Sequence, residues 1–246
     1  MIGIALLIAG CGGGRNGSQS SPPVTTTTTP AARPVLVYFL RGGQVWPVRG
    51  HVADPKAVAR ATLEVLLDGP LDGERPDLGL RSAIPEGSKL EEVSTAGNAT
   101  IVKLSRDLPA AALAQVVYTL TQFPTVTAVE YKGKRYTRAD FEDLTPPILV
   151  EAPLSYQEVS SPIHVTGTAN TYEATFDYEL LGEDGKVLSK NYVTATSGSG
   201  TRGTFDFTVP YKLDQDAPGK LVVYEVSAEN GKRIHTQEIP LQLRAS

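Results

Sequence analysis

Two hydrophobic periods divide the chain near residue 145. Before it, apolar residues recur at helical spacing or form continuous runs. After it, they alternate with polar ones. Residues 35–40, Val-Leu-Val-Tyr-Phe-Leu, form an unbroken apolar run, which predicts a strand covered on both faces. Asp54-Pro55 predicts a helix start, since an acidic cap accepts free backbone N–H groups and proline fits the first helical position. Val58, Ala61, Thr62, Val65 and Leu66 then share one helical stripe, which Gly69-Pro70 ends. A loop rich in glycine, proline and aspartate runs on to about Glu86. Residues 89–95 and 100–105 predict a strand pair joined across Ala96-Gly97-Asn98. Asp107-Leu108-Pro109 opens a second helix with the stripe Leu113, Val116, Val117 and Leu120. That helix ends near Phe123, because Pro124 disfavours helical backbone before it. Residues 126–131 are the last clear strand of this half, turning at Lys132-Gly133-Lys134.

Pro146-Pro147 marks a short, stiff junction. Beyond it Phe176, Tyr178 and Leu180 face one way, with Asp177 and Glu179 the other. Phe205, Phe207 and Val209 repeat the pattern. Gly182-Glu183-Asp184-Gly185 is a turn, and residues 187–194 give the next strand. Residues 221–228 and 234–243 flank Asn230-Gly231, which predicts a two-residue hairpin. With residues 148–151 and 163–168 this gives about seven short strands and no helix-length pattern, as an immunoglobulin-like sandwich requires. The expected fold class is therefore α+β: an α/β domain over 35–144 and an all-β sandwich over 145–246.

The N-terminus adds a location. Residues 2–9 are apolar but too few to span a bilayer as a helix, and suit the core of a signal peptide over 1–10. Leu7-Ile8-Ala9-Gly10-Cys11 resembles the bacterial lipobox, in which a peptidase cuts before a cysteine that carries diacylglycerol. One departure is that no basic residue lies between Met1 and Ile8. Cys11 is the chain's single cysteine, so it has no partner for an internal disulfide or a CxxC pair. Residues 12–34, rich in Gly, Ser, Thr and Pro, read as a linker with nothing to order it. The expectation is an extracytoplasmic protein held to the membrane by acyl chains on Cys11, with 11–34 as tether.

Charge narrows the partners. The formal net charge is −4, and no basic stripe of the kind phosphate backbones need is present. The C-terminal part, with 8 Lys/Arg against 13 Asp/Glu, would repel nucleic acid.

Several phrases resemble known families. The opening Val37-Tyr38-Phe39-Leu40, the helix ending Leu66-Leu67-Asp68-Gly69-Pro70, Ile84-Pro85-Glu86-Gly87, Leu120-Thr121 and Val129-Glu130-Tyr131-Lys132-Gly133 resemble, in that order, the GerMN domain. The resemblance implies a non-catalytic α/β module of envelope lipoproteins, similar in fold to the ring-building modules of sporulation channels. Ser161-Pro162-Ile163-His164-Val165-Thr166-Gly167-Thr168-Ala169, then Tyr172-Glu173-Ala174, Gly203-Thr204-Phe205, Val223-Tyr224-Glu225-Val226-Ser227 and Ile239-Pro240-Leu241 resemble Gmad2, the immunoglobulin-like domain of bacterial spore germination proteins. That pairing implies a link to sporulation or germination.

Candidate chemistry is sparse. Gly198-Ser199-Gly200-Thr201-Arg202-Gly203 spells GxGxxG, but the residues after it alternate as a strand, so an interstrand loop is expected in place of a dinucleotide site. His51, His164 and His235, expected in a loop, a strand and a strand, have no metal-ligand spacing. Glu91-Glu92, as strand neighbours, point to opposite faces, and Glu142-Asp143 are expected to solvate a domain edge. Trp46, beside Gly42-Gly43, is either a recognition aromatic on a loop or a packed loop anchor. No catalytic residue, metal site or cofactor is expected. The function expected is a binding or assembly module in the bacterial cell envelope that contacts an envelope protein or peptidoglycan. The alternative is a peptidoglycan-active hydrolase or accessory factor. A transporter's solute-binding lipoprotein is disfavoured, since it needs two larger lobes.

Overall fold

A computed structural model describes residues 32–53, 57–70 and 76–246. The signal-peptide run, Cys11, most of the linker and the Asp54-Pro55 helix start lie outside them.

The N-terminal half runs β1 (Arg33–Arg41), β2 (Gln44–Val52), α1 (Val58–Asp68), β3 (Leu90–Ala96), β4 (Ala99–Leu104), α2 (Ala110–Leu120), β5 (Ala128–Tyr131) and β6 (Lys134–Tyr136). A 3-10 helix, Arg138–Leu144, closes it. β1 and β2 form a two-stranded antiparallel sheet, and a second sheet has the order β3-β4-β5-β6, with β4 and β5 parallel. The apolar run in β1 is buried from Val37 to Leu40. Both predicted helical stripes are buried or packed on this core.

Three expectations change here. Residues 44–52 form β2, so His51 and Trp46, both expected on loops, sit on a strand. α2 ends at Leu120, three residues before Phe123, and β6 with the 3-10 helix extends this half past the Lys132-Gly133 turn.

The outer edge of β1 would leave backbone groups unpaired. Polar side chains at and just beyond one face of α2 pair them instead. Gln122 Oε1 accepts from the Leu36 N–H at 2.6 Å, and Gln122 Nε2 donates to the Leu36 carbonyl at 2.5 Å. Thr119 Oγ1 accepts from the Tyr38 N–H at 3.0 Å, while Gln115 Nε2 donates to the Tyr38 carbonyl at 3.1 Å. Leu40 pairs with the Arg81 backbone in both directions at 2.8 Å. Every second residue of the edge is thereby satisfied, which accounts for a glutamine and a threonine that are fully buried in an otherwise apolar helix.

The C-terminal half has eight strands: β7 (Ile148–Ala152), β8 (Gln157–Val159), β9 (Ile163–Ala169), β10 (Thr175–Gly182), β11 (Val187–Thr194), β12 (Gly203–Val209), β13 (Ala217–Val226) and β14 (Arg233–Leu243). They form sheets of order β11-β10-β13-β14-β8 and β12-β9-β7, an immunoglobulin-like sandwich. β8, which the alternation did not reveal, is three residues long and runs parallel to β14. The Asn230-Gly231 turn is wider than two residues: β13 ends at Val226, and Ser227 N–H donates to the Lys232 carbonyl at 2.9 Å around a four-residue loop. With no disulfide, aromatic packing joins the sheets, with Phe176 and Phe205 ring centroids 5.0 Å apart, as are those of Tyr178 and Phe207.

Gly167 is the most tightly enclosed glycine of the sandwich. A Cβ there would sit 2.0 Å from the Leu149 carbonyl oxygen and 2.7 Å from Phe205 Cζ. Backbone of the neighbouring strand cannot retreat without breaking its ladder. Gly167→Ala is expected to lower stability by about 3 kcal/mol, read as a lower urea midpoint at unchanged slope. A midpoint within error of the native chain would contradict this packing.

Candidate functional site

The seam between the two halves carries the most distinctive chemistry. Ala31–Ser246 forms one compact unit. The two hydrophobic clusters exchange members across the seam: Trp46 of β2 belongs to the C-terminal core, and Leu149 of β7 to the N-terminal one. Val48 and Leu80 pack against both. Trp46 is thus a packed anchor, 6% exposed, with the Arg41 guanidinium 4.5 Å from its ring centroid. Arg41 Nη1 also donates across the seam to the Glu238 carbonyl at 3.3 Å.

Polar contacts follow the same line. Arg138, from the 3-10 helix, donates through Nη1 to Glu151 Oε1 of β7 at 2.7 Å. Its Nε donates to Thr121 Oγ1 at 2.8 Å and its Nη2 to the Tyr118 carbonyl at 3.4 Å. Tyr38 O–H donates to the same Glu151 oxygen. The guanidinium lies 4.6 Å from the Tyr118 ring centroid and 5.5 Å from that of Tyr38. Burial, then the Glu151 charge, pushes the Tyr38 phenol well above its ordinary value, so it stays a donor. Burial works against the Arg138 cation, but Tyr38 and Glu151 outweigh it and raise its pKa.

A second clamp joins the 3-10 helix to the sandwich. Arg202 meets Glu142 through Nε at 2.9 Å to Oε2 and Nη2 at 2.9 Å to Oε1. Arg202 Nη2 also donates to the Pro146 carbonyl at 2.9 Å, and Asn170 Nδ2 to Glu142 Oε1 at 2.8 Å. Glu142 therefore does more than solvate a domain edge: it binds one domain to the other. Burial would raise its pKa, but hydrogen bonds from Arg202 and Asn170 outweigh that and lower it below the ordinary 4.5. With a lowered native pKa, the clamp's stabilisation is complete above about pH 4.5 and fades as pH falls through the native value. Glu142→Gln is expected to reduce stability by about 1 kcal/mol at pH 7, after solvent screening, and by less at pH 3. Urea midpoints at both pH values check this; an equal deficit at both would show that charge is not the cause.

An open cleft of about 840 Å³ lies beside the Arg138–Glu151 pair. Its apolar wall comes from Leu36, Phe123, Pro124 and Val126, and Thr121, Thr127, Thr137 and Thr166 supply hydroxyls. Its one carboxylate is Glu151, already bonded to Arg138.

The other sequence candidates are scattered. The GxGxxG segment joins β11 to β12 as an interstrand loop, and its Arg202 is half of the Glu142 clamp. His164 Nε2 lies 2.6 Å from Asp206 Oδ1 on the exposed face of β9 and β12. His235 Nδ1 lies 2.9 Å from Glu225 Oε2. A bulge between Leu90 and Glu92 breaks the simple alternation expected for Glu91-Glu92. Glu91 pairs with Lys103 at 3.3 Å, whereas Glu92 accepts from Ser94 at 3.1 Å. Among the described residues, no group of three His, Cys, Asp or Glu could hold a metal ion, and no helix is long and apolar enough to cross a membrane. The expectations missed both Arg138–Glu151 and Glu142–Arg202, whose members lie 13 and 60 positions apart.

Comparison with known proteins gives two family matches. Residues 36–131 match the Germane family, described as sporulation and spore germination. Residues 147–232 match Gmad2, the immunoglobulin-like domain of bacterial spore germination. No curated protein matches the chain. Among solved structures, the tandem GerMN domains of the sporulation protein GerM from Bacillus subtilis match at 20% identity and TM-score 0.34, over 45% of this chain and 41% of that one. The chain thus spans less than half of that structure's length. A putative lipoprotein from Clostridium perfringens matches at 15% identity and TM-score 0.31, over 46% of this chain and 93% of that one. An MSP family member from C. elegans matches at 13% identity and TM-score 0.23, over 41% and 98%.

Proposed function

From a chain that carries a Germane domain followed by a Gmad2 domain, both sporulation- and germination-associated families and neither a known enzyme family, we propose a non-catalytic binding or assembly module of the bacterial cell envelope. The protein is extracytoplasmic, held to the membrane by acyl chains on Cys11, and contacts peptidoglycan or an envelope protein. The observation that supports the reading is the seam: two ion pairs, Arg138–Glu151 and Arg202–Glu142, fix one domain against the other. A presenting module needs its surfaces in fixed relation, which the shared core and the two clamps provide. A hydrolytic alternative would need two converging carboxylates or a metal, and the cleft offers Glu151 alone. Two measurements test the proposal. The native chain should fractionate with membranes and its Cys11→Ala variant should not. The unlipidated full chain should retain envelope proteins or purified cell wall in a pull-down. Membrane retention of the variant would contradict the anchor, and an empty pull-down would contradict the binding role.

A further inference from the structure

We propose that the cleft at the domain seam, continued by the adjoining exposed face of β9 and β12, binds a neutral glycan strand. The inference rests on the cell-wall branch of the function proposed above and locates its site. Four features carry it. The cleft's volume of about 840 Å³ is that of a ligand site, and both domains build its walls, the place where such sites concentrate.

Its charge balance selects the ligand. The two charged side chains that line it, Arg138 and Glu151, neutralise each other at 2.7 Å, so a polyanion finds no free cation and a basic peptide no free carboxylate. A guanidinium has five N–H groups, and Arg138 uses three of them on Thr121, Glu151 and Tyr118, which leaves donors for a neutral acceptor.

Its walls match a sugar's two sides. Pyranose rings present an apolar face of C–H groups and an equatorial belt of hydroxyls. Phe123 and Pro124 supply apolar surface for the first. Thr166, whose hydroxyl takes no hydrogen bond within the described residues, supplies a free partner for the second.

The surface also continues beyond the cleft. Thr166 pairs in register with Asp206, Thr168 with Thr204, and His164 with Thr208. These six polar side chains share one face. Asp206 bonds His164, Thr168 accepts from Arg202 and Thr204 bonds Thr196, while the exposed Thr204, Asp206 and Thr208 keep further lone pairs for a ligand. Alternate residues of a strand stand about 6.8 Å apart, so the face offers hydrogen-bonding groups in rows, as an extended chain of sugars requires and a monosaccharide does not.

The test uses the full chain as Cys11→Ala, with chitotetraose (four linked N-acetylglucosamine units) as the neutral probe and a sulfated tetrasaccharide as the charged one. Backbone amide resonances of Thr127, Ala139, Ala152, Thr166 and Asp206 should shift with chitotetraose and stay fixed with the sulfated sugar. Thr166→Val should weaken binding about tenfold. Tyr192→Ala, an exposed change on β11, should leave it unchanged. No shift at millimolar chitotetraose, shifts confined to other surfaces, or preference for an extended peptide or the sulfated sugar would overturn the site. If cell wall is retained in the pull-down while these amides stay fixed, the glycan site fails and the binding module stands. If the amides shift while envelope proteins and cell wall are not retained, the module fails and the site stands.

Discussion

Arg138→Met is expected to destabilise the protein by about 3–5 kcal/mol, because it leaves Glu151 as an uncompensated charge between the domains. The side chains of Arg138 and Glu151 are 24% and 20% exposed, so water cannot fully replace the lost partner. Tyr38, fully buried, would remain the one strong donor to Glu151. The loss is therefore a penalty of an unpaired group and not the worth of the pair. Adding Glu151→Gln should recover a large part of it, since a neutral amide is cheaper to bury than a carboxylate. A double-mutant cycle on urea unfolding measures this, with an expected coupling of about 2 kcal/mol. Additive effects of the two substitutions would show that the pair does not hold the seam.

Trp46→Ala is expected to cost about 3–5 kcal/mol, the range for deleting a large core aromatic. Its distinguishing consequence is where the loss appears. Trp46 is covalently part of the N-terminal domain but packs in the core of the C-terminal one. Hydrogen exchange should therefore accelerate in β7 and β14, whose Val150 and Ile239 line the small void beside the indole. Val45→Ala, on the same strand but in the N-terminal core, should leave those amides protected. Faster exchange confined to β1 and β2 after Trp46→Ala would place the indole in the wrong core.

Much of the sandwich was legible because strands such as β9 and β10 have one buried and one more exposed face, so burial prints a period of two. The buried, half-buried and exposed positions of β9 and β10 follow that alternation. The helices were legible from their apolar stripes. β2 was not, because it carries Gly50 and Pro47, residues that usually mark loops. Their reasons are local. A Cβ on Gly50 would meet Val37 Cγ2 at 2.7 Å, and Pro47 sits opposite Tyr38 on a strand whose other edge has no partner strand. One missed feature did leave a signal: Gln115, Thr119 and Gln122 recur at helical spacing on a face separate from the apolar stripe. The two interdomain clamps left none. A pairing between Glu142 and Arg202 arises only when the Pro146-Pro147 junction folds the sandwich back onto the 3-10 helix, and periodicity carries no information about that.

The two domains present one composite surface and not two independent modules. Calorimetric unfolding of the unlipidated full chain tests it most directly. A single transition, with calorimetric and van't Hoff enthalpies equal, is the predicted result. Two resolved transitions, each with its own van't Hoff enthalpy and each unaffected by Arg138→Met, would contradict it.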